Sequence, residues 1–333
     1  MEVIESSAVE VEAEAGDWLQ ATVCEAVKLT PDTLLVRLRS ATGDPLPPHE
    51  PGAHVALKCG EGVTRHYSLT GARRHAGLYE LGIKRAENSQ GGSRWVFDHV
   101  AVGSRLLISR PRNHFPLVAQ AGQFLFLSGG IGATPIISML YELQARGIRA
   151  RLVHMCRSRA DLGFQAWLSE VAAFHDVHLH FDADAGLFDL QAELGRAPAE
   201  THVYCCGPTG MMDAVRQHGE AVGRAERFHF EYFAAPQVQR DEAQDGEFTV
   251  VQASTGRRIA VPKTKTMLAA LREAGLPMKS ECEYGVCGWC AVGVKEGVPA
   301  HFDSYLTASE KEANKLVLPC VSRCTSATIT LDI

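Results

Sequence analysis

The sequence lacks the features of three common protein classes. Its apolar runs are shorter than the roughly 18–20 residues that cross a bilayer. Its first 16 residues contain five Glu and no Lys or Arg, where a secretory signal would be basic. The formal net charge of −6 argues against the clustered basic surface of a nucleic-acid-binding protein. We therefore expect a cytoplasmic protein that binds neither membrane nor nucleic acid.

Disulfide bonds are not expected either, although the chain contains 10 Cys. In a long chain without a secretory signal, Cys concentrated in one tight group favour a metal or cluster. The group is Cys282-x4-Cys287-x2-Cys290 with Cys320 beyond it, the spacing of plant-type 2Fe-2S ligation. Zinc is the physical alternative, but structural zinc usually pairs two Cys-x2-Cys units. Cys324 competes with Cys320 as the fourth ligand.

A chain of 333 residues exceeds one ordinary core, which stops growing near roughly 250–300 residues. We predict a disordered acidic tail over residues 1–16. Residues 17–118 contain short β-rich runs between Pro- and Gly-containing turns, typical of an antiparallel barrel or sandwich. In residues 119–233 strands alternate with helices, which predicts a parallel α/β sheet. The polar residues 234–246 predict a linker, and residues 247–333 a further domain.

Two short motifs in the first segment are candidates for binding an anion. One lies on a predicted strand and the other opens a predicted helix, where free backbone N–H groups attract phosphate. They are Arg65-His66-Tyr67-Ser68 and Gly91-Gly92-Ser93. Alone, each has a simpler interpretation: a surface ion pair beside a half-buried Tyr, and a capped helix start.

Two motifs in the middle segment follow predicted strands. A Gly-rich turn lies between a buried strand and an apolar helix, and a Cys-Gly-Pro sequence ends a later strand. They are Gly129-Gly130-Ile131-Gly132-Ala133-Thr134-Pro135 and Cys206-Gly207-Pro208. Ligands gather at the carboxyl ends of parallel strands, so these turns predict a nucleotide site. The first turn is not the G-x-G-x-x-G fingerprint, and Cys206 alone would be a buried small hydrophobe.

Together these motifs resemble the ferredoxin–NADP reductase superfamily. The order of flavin domain, nicotinamide domain and C-terminal ferredoxin resembles the phthalate dioxygenase reductase family, which includes vanillate demethylase reductases. The likeness covers residues 17–333. It implies an antiparallel β-barrel that binds FMN, an α/β domain that binds NAD(P) and a β-grasp domain that binds the 2Fe-2S cluster. Cys320 is preferred to Cys324 because Leu318-Pro-Cys320-Val-Ser-Arg matches the family pattern around the last ligand.

The resemblance implies roles for the two motifs of the first domain, and the Gly91-Gly92-Ser93 turn is expected to hold phosphate. Arg65 is expected to bind the flavin phosphate, Tyr67 to pack against the isoalloxazine, and Ser68 to bond near its reactive edge. Phe233, from the end of the second domain, is expected to cover the flavin ring. The cofactor-binding residues expected in the first domain are Arg65, His66, Tyr67, Ser68, Ile83, Lys84, Gly91, Gly92 and Ser93.

In the second domain, the resemblance places Thr134 near the flavin and Cys206 beside the nicotinamide. These two residues, with Ser68 and Phe233, form the expected catalytic set. The residues expected along the pyrophosphate and beside the nicotinamide are Gly129, Gly130, Gly132, Gly207 and Pro208.

The choice between NADH and NADPH depends on residues at two strand ends. Asp182 would repel a 2′-phosphate and could accept from a 2′-hydroxyl, which favours NADH. Arg157 and Ser158 could instead bind that phosphate, so NADPH is the alternative.

These parts predict an electron-transfer enzyme. NADH gives up two electrons as a hydride, whereas a 2Fe-2S cluster carries one at a time, so a flavin has to stand between them. The resemblance implies FMN, with FAD as the alternative. The chain contains neither the Cys-x-His runs of a Rieske centre nor an evident iron-binding triad. Oxygen activation is therefore expected on another protein, by family a Rieske-type oxygenase.

We expect a monomer that docks transiently on this partner around Cys282–Trp289. Trp289 stands where the family usually has a small residue. Two other functions fit the sequence: a reductase that serves a haem or di-iron oxygenase, and a non-enzymatic binding protein that uses the ferredoxin as a structural module.

Overall fold

The computed structural model describes residues 18–60, 63–71, 77–86, 91–233, 246–280 and 283–333. The predicted tail over residues 1–16 and positions 234–245 of the predicted linker lie outside these ranges. The chain divides into two compact units, Met1–Phe233 and Ala234–Ile333. Within the described ranges, no helix combines the length and apolar character that crossing a membrane requires.

An antiparallel sheet forms the first part of the first unit. Its strands are β1 (Trp18–Thr30), β2 (Thr33–Ser40), β3 (His54–Lys58), β4 (Thr64–Ser68), β5 (Leu78–Lys84) and β6 (Arg105–Ser109), and helix α1 (Gly92–His99) follows β5. The order is β4-β3-β6-β1-β2-β5, with all neighbours antiparallel. A bridge between Leu69 and Leu81 joins the two outer strands and closes a barrel. Leu34, Val36 and Leu38 alternate along β2 into its core.

A parallel sheet forms the rest of this unit. Its strands are β7 (Phe124–Gly129), β8 (Arg151–Cys156), β9 (Asp176–Phe181), β10 (His202–Cys206) and β11 (Phe228–Phe230). Its helices are α2 (Ala133–Ala145), α3 (Gln165–Ala172), α4 (Asp182–Ala185), α5 (Leu190–Arg196) and α6 (Thr209–Ala221). The strand order is β11-β10-β7-β8-β9, with all neighbours parallel. Every residue of β7 is buried because helices cover both faces of the sheet: Phe126 packs with α2 residues and Leu127 with α6 residues.

The second unit contains a mixed sheet with a helix packed on it. Its elements are β12 (Phe248–Gln252), β13 (Arg258–Val261), α7 (Met267–Glu273), β14 (Val292–Glu296), β15 (Pro299–Ala300), α8 (Ala308–Ala313), β16 (Leu316–Val317), β17 (Arg323–Cys324) and β18 (Thr328–Leu331). In the order β13-β12-β18-β14-β16, only β12 and β18 pair in parallel. Met267 and Leu271 of α7 share a core with Val250 and Ile329. The predicted three-part fold class is confirmed, while the finer domain boundaries stay predictions.

Candidate functional site

A hydrogen bond joins the barrel to the parallel sheet. The hydroxyl of Ser68, the last residue of β4, donates to Oε2 of Glu231 at 3.1 Å, and Glu231 directly follows β11. Burial raises the pKa of Glu231 to about 7 against the opposing effects of His54 and of the Ser68 bond. A carboxyl with this pKa gains or loses a proton at neutral pH, in contact with the Ser68 hydroxyl.

Cys206 lies beside this pair. Its side chain is completely buried, and burial raises the pKa of its thiol, with further contributions from the charges of Glu231 and Cys205. Cys206 is therefore a neutral thiol at physiological pH. The structure brings together Ser68 and Cys206, two of the predicted catalytic residues, and adds Glu231.

The sequence analysis missed Glu231. It lies in the aromatic stretch Phe228–Phe233, where only Phe233 was assigned a role. A single carboxylate among aromatic residues at the end of a predicted strand was the available signal, since such a group needs a partner when buried. Phe233, two residues further on, is 46% exposed.

The two predicted nucleotide turns lie against each other at the ends of β7 and β10. A β-carbon at Gly132 would lie 2.0 Å from the carbonyl oxygen of Cys206, and one at Gly129 would lie 2.5 Å from Cδ of Pro208. Such distances leave no room for a side chain at either glycine. Around Gly130 no atom of the described residues beyond its two chain neighbours lies within 4 Å of the corresponding position, so this part of the turn is open to a ligand.

Thr134 lies where α2 meets the barrel. Its side chain is buried, its hydroxyl donates to the carbonyl of Ile131 at 3.0 Å, and its methyl carbon would lie 2.6 Å from a β-carbon at Gly82 of β5. The residue therefore positions the Gly-rich turn against the barrel.

The barrel motif and the start of α1 also meet. A β-carbon at Gly92 would lie 2.4 Å from Cγ of Arg65, so the Arg65 side chain packs on the first turn of α1. Its guanidinium donates to the Thr64 carbonyl at 2.8 Å, and the Ser93 hydroxyl accepts from the Ala86 N–H at 3.2 Å. A guanidinium beside the N-terminus of a helix fits a phosphate.

The remaining barrel residues have different environments. The hydroxyl oxygen of Tyr67 is buried, and burial raises the pKa of this phenol. The His66 ring contacts the His54 ring edge-on at 5.3 Å. Because the Ile83 side chain packs in the barrel core, Ile83 offers a ligand only its backbone. Lys84 forms an ion pair with Asp32, with Nζ 3.1 Å from the carboxylate.

The ends of β8 and β9 carry both signs of charge. Ser158 donates its hydroxyl to Asp161 at 2.8 Å in a capping box. The Arg157 carbonyl accepts from the N–H of Ala183 at 2.8 Å, which places Arg157 next to Asp182 at the start of α4. The three predicted adenosine-side residues thus lie at one edge of the sheet, where the Ser158 hydroxyl already has a partner.

Behind the Gly-rich turn lies a buried hydrogen-bond chain that the sequence analysis also missed. The Ser128 hydroxyl is 2.7 Å from Nδ1 of His154, whose Nε2 is 3.2 Å from the thiol of Cys156. Burial lowers the pKa of His154 to about 4 and raises that of Cys156 to about 11. Both groups are therefore neutral, and they support the strand ends from which the turn begins.

In the second unit, two predicted cluster ligands converge. The sulfurs of Cys290 and Cys320 are 3.2 Å apart, and each residue is 4% exposed. This distance is too long for a disulfide bond, so Cys290 and Cys320 are a converging pair of thiols. Cys287 is partly exposed, and Cys282 lies outside the described residues. Cys324 instead lies 3.0 Å from the Ser326 hydroxyl, within β17, so Cys320 is the thiol placed beside Cys290. Cys290 and Cys320 fit part of a 2Fe-2S ligand set, and among the described residues no third His, Cys, Asp or Glu forms a metal-binding group with them.

Comparison with known proteins gives two family matches. Residues 250–325 match the family described as 2Fe-2S iron-sulfur cluster binding domain, and residues 126–217 match the oxidoreductase NAD-binding domain. The chain is 40% identical over 310 residues to the vanillate O-demethylase oxidoreductase of Pseudomonas sp. (strain HR199 / DSM 7063). The aligned region covers 91% of this chain and 96% of that protein. It also matches the solved structure of a phthalate dioxygenase reductase with a TM-score of 0.68 at 33% identity, over 95% of this chain and 98% of that one. The chain belongs to the phthalate dioxygenase reductase family.

Membership of this family makes the chain an oxidoreductase that carries electrons through an NAD-binding domain and a 2Fe-2S domain. The predicted family and enzyme class are confirmed. An intact type IV self-sufficient cytochrome P450 monooxygenase matches with a TM-score of 0.80 at 31% identity. That match includes 98% of this chain but only 43% of the monooxygenase chain.

Proposed function

We propose that this chain takes electrons from NADH, passes them through FMN to its 2Fe-2S cluster, and delivers them to a partner oxygenase. The observation that carries the proposal is the junction of the barrel with the parallel sheet. There Ser68, from the flavin-type motif, bonds to Glu231, whose charge acts on Cys206 of the nicotinamide-type motif. A hydride donor and a flavin held by these motifs would meet at this junction.

The flavin site is assigned to the barrel. Arg65 and the first turn of α1 would hold the phosphate, and Tyr67 and Phe233 would flank the ring. When bound, the flavin would supply the step from a two-electron donor to a one-electron acceptor. The protein's residues orient it, exclude water through the buried Thr134 and Cys206, and hold a proton at Glu231 near Ser68. FMN is preferred to FAD because the resemblance to the phthalate dioxygenase reductase family implies it.

NADH is preferred to NADPH at the ends of β8 and β9. The Asp182 carboxylate would accept from a ribose hydroxyl and repel a phosphate. Of the two residues predicted to bind a 2′-phosphate, Ser158 already donates its hydroxyl to Asp161, which leaves Arg157. Gly130 would line the pyrophosphate path, with Gly129, Gly132, Gly207 and Pro208 shaping it.

The cluster is assigned to Cys282, Cys287, Cys290 and Cys320. From there electrons would pass to a partner oxygenase, as the name of the vanillate O-demethylase oxidoreductase suggests. The family resemblance implies that this oxygenase is of the Rieske type. Three aromatic residues in or beside the ligand loop are unusually exposed: Tyr284 at 40%, Trp289 at 48% and Tyr305 at 51%. Exposed aromatic side chains are favoured at protein interfaces, and they mark the docking face of a monomer that binds its partner transiently.

An anaerobic titration with NADH tests the proposal. In the purified holoprotein, flavin and cluster absorbance should both bleach, and one chain should accept more than two electrons because two carriers fill. A Cys320→Ser variant should bleach only at the flavin bands. A protein that contains no flavin, or that NADH fails to bleach, would contradict the proposed electron path.

A second candidate partner is a haem monooxygenase. It is favoured by the match to the self-sufficient cytochrome P450, in which the corresponding region belongs to one chain with the monooxygenase. Reconstitution separates the two candidates: the purified chain with NADH should support product formation by a Rieske oxygenase at a higher kcat/KM than by a cytochrome P450.

A further inference from the structure

A buried carboxylate lies behind the three-Cys loop and has no part in the proposed electron path. Asp303 is 3% exposed. Its Oδ2 accepts from the N–H of Leu306 at 2.8 Å, and its Oδ1 accepts from the hydroxyl of Ser322 at 3.4 Å. Ser322 lies two residues beyond Cys320. Asp303 is therefore bonded to the segment that carries the proposed fourth ligand.

The residues around Asp303 also support the loop that carries the other ligands. The N–H of Ser304 donates to the carbonyl of Gly285 at 3.0 Å. Gly285 has a φ of 74°, and a β-carbon there would lie 2.5 Å from a methyl carbon of Val321 and 3.1 Å from Cα of Asp303. Only glycine satisfies both the backbone conformation and the space. The loop consequently packs directly on the backbone of Asp303.

A second glycine of the loop repeats this arrangement. Gly288 has a φ of 73°, and a β-carbon there would lie 2.2 Å from Cζ of Tyr305. Residues 303–305 therefore contact the ligand loop at two positions, one on each side of Cys287. Through Ser322 the same residues are tied to the Cys320 segment.

Two basic side chains face the Asp303 carboxylate. Nδ1 of His301 lies 3.5 Å from Oδ1, and the His301 side chain is 9% exposed. Nζ of Lys311 donates to the Asp303 carbonyl at 2.6 Å and is 3.9 Å from Oδ2. These are the titratable groups that face the carboxylate among the described residues. A carboxylate in such a poorly solvated place acts on nearby charges more strongly than one in water.

We propose that Asp303 is a positioning residue for the 2Fe-2S cluster. Asp303 ties the three-Cys loop to the Cys320 segment, and its negative charge lowers the reduction potential of the cluster. The inference rests on the proposed ligand set. Reduction adds a negative charge at the ligand loop, and a buried carboxylate behind that loop makes the addition less favourable. Net charge and hydrogen bonding around a cluster are among the factors that set its potential.

The first test is the Asp303→Asn variant of the full-length holoprotein. Asn keeps the shape and an acceptor for Leu306 but removes the charge. In a redox titration followed by EPR, the equilibrium constant for electron uptake should rise about tenfold, which is about 59 mV for one electron. Asp332→Asn is the matched control, because Asp332 lies in the same unit, is 57% exposed and pairs with Lys295. It should leave the potential unchanged. A wild-type potential in Asp303→Asn overturns the charge effect.

A second variant separates position from charge. Ser322→Ala keeps the carboxylate but removes its link to the Cys320 segment. Its EPR g-values should change and its cluster should be lost several times faster in the presence of a chelator. If Asp303→Asn fails to fold, this variant still tests the positioning role. Wild-type g-values and cluster retention in Ser322→Ala overturn the positioning role. A wild-type protein without any 2Fe-2S signal refutes the proposed ligand set itself, which is a different result.

Discussion

The junction of the barrel with the parallel sheet and the cluster region are built from contacts of different range. At the junction, Ser68 bonds to Glu231, 163 residues away in the sequence. In the cluster region, Cys290 and Cys320 are only 30 residues apart. The junction holds a carboxyl group that titrates near neutral pH, and its geometry depends on how two sheets pack. The cluster region holds buried sulfurs and depends on the backbone of one loop. The junction can therefore control protons and alignment, while the cluster region controls ligand geometry and charge.

The largest expected effect is the loss of the 2Fe-2S cluster with the flavin retained. Cys320→Ser should abolish the 2Fe-2S signal and reduce cytochrome c reduction by more than about 100-fold, beyond the range for residues that only support a ligand. Reduction of a dye that accepts electrons from the flavin should remain near wild type. Absorbance and EPR spectra with both kinetic assays measure this. Cys324→Ser is the control, and equal loss in that variant would contradict the choice of Cys320.

Next in size is a change at the junction. The pKa of Glu231 in the folded protein is about 7, above its ordinary value of 4.5. Its contribution to the free energy of unfolding is therefore fully present below about pH 4.5 and is lost as pH rises through about 7, in total roughly 3 kcal/mol. Glu231→Gln cannot ionise and should lack this pH dependence.

Urea unfolding at pH 5 and pH 8, followed by circular dichroism, measures the difference between the two proteins. Glu226→Gln is the control, because Glu226 lies five residues earlier on the surface and is 71% exposed. Equal pH dependence in wild type and Glu231→Gln would show that the carboxyl does not titrate in this range.

A smaller effect tests the close approach of the nucleotide turns. Gly132→Ala places a β-carbon 2.0 Å from the Cys206 carbonyl oxygen, so the turn has to move. We expect a loss of about 1–3 kcal/mol in the free energy of unfolding and a raised KM for NADH. Gly122→Ala meets no atom within 4 Å and should change neither quantity. An unchanged KM for NADH in Gly132→Ala would show that this turn takes no part in nucleotide binding.

The smallest effect concerns the exposed face of the cluster loop. Trp289→Ala should leave the reduction of both carriers by NADH unchanged but weaken partner binding by about 1–2 kcal/mol, the cost of a moderate interface residue. Titration calorimetry with the oxygenase measures the Kd. Leu187→Ala, at an 87% exposed site in the other unit, should bind like wild type. Equal Kd values for both variants would show that Trp289 is not part of the docking face.

Much of the fold follows from local patterns in the chain. Alternating β-rich runs before residue 118 and alternating strands and helices after it predicted an antiparallel and a parallel sheet, both of which the structure contains. The choice of Cys320 over Cys324 stays a prediction; the structure adds that Cys320 lies beside Cys290 and Cys324 beside Ser326. Hydrophobic periodicity and ligand spacing are local properties, so a single sequence carries them.

Glu231, His154 and Asp303 were not predicted because their significance depends on contacts that spacing does not encode. Glu231 is an ordinary acidic residue until the barrel strand β4 reaches it, and His154 looks like a strand residue until Ser128 and Cys156 are placed on either side. The desolvation that shifts the pKa of Glu231 or His154 exists only after packing.

By itself the sequence determined the fold class, the order of the domains and the thiols available for a cluster, because these depend on residue type and spacing along the chain. Only the tertiary structure decided which side chains form the hydrogen bond at the junction, which glycines admit a close approach, and which buried carboxylate lies behind the ligand loop. Those features arise from burial and from contacts between distant segments, and both come into being when the chain folds.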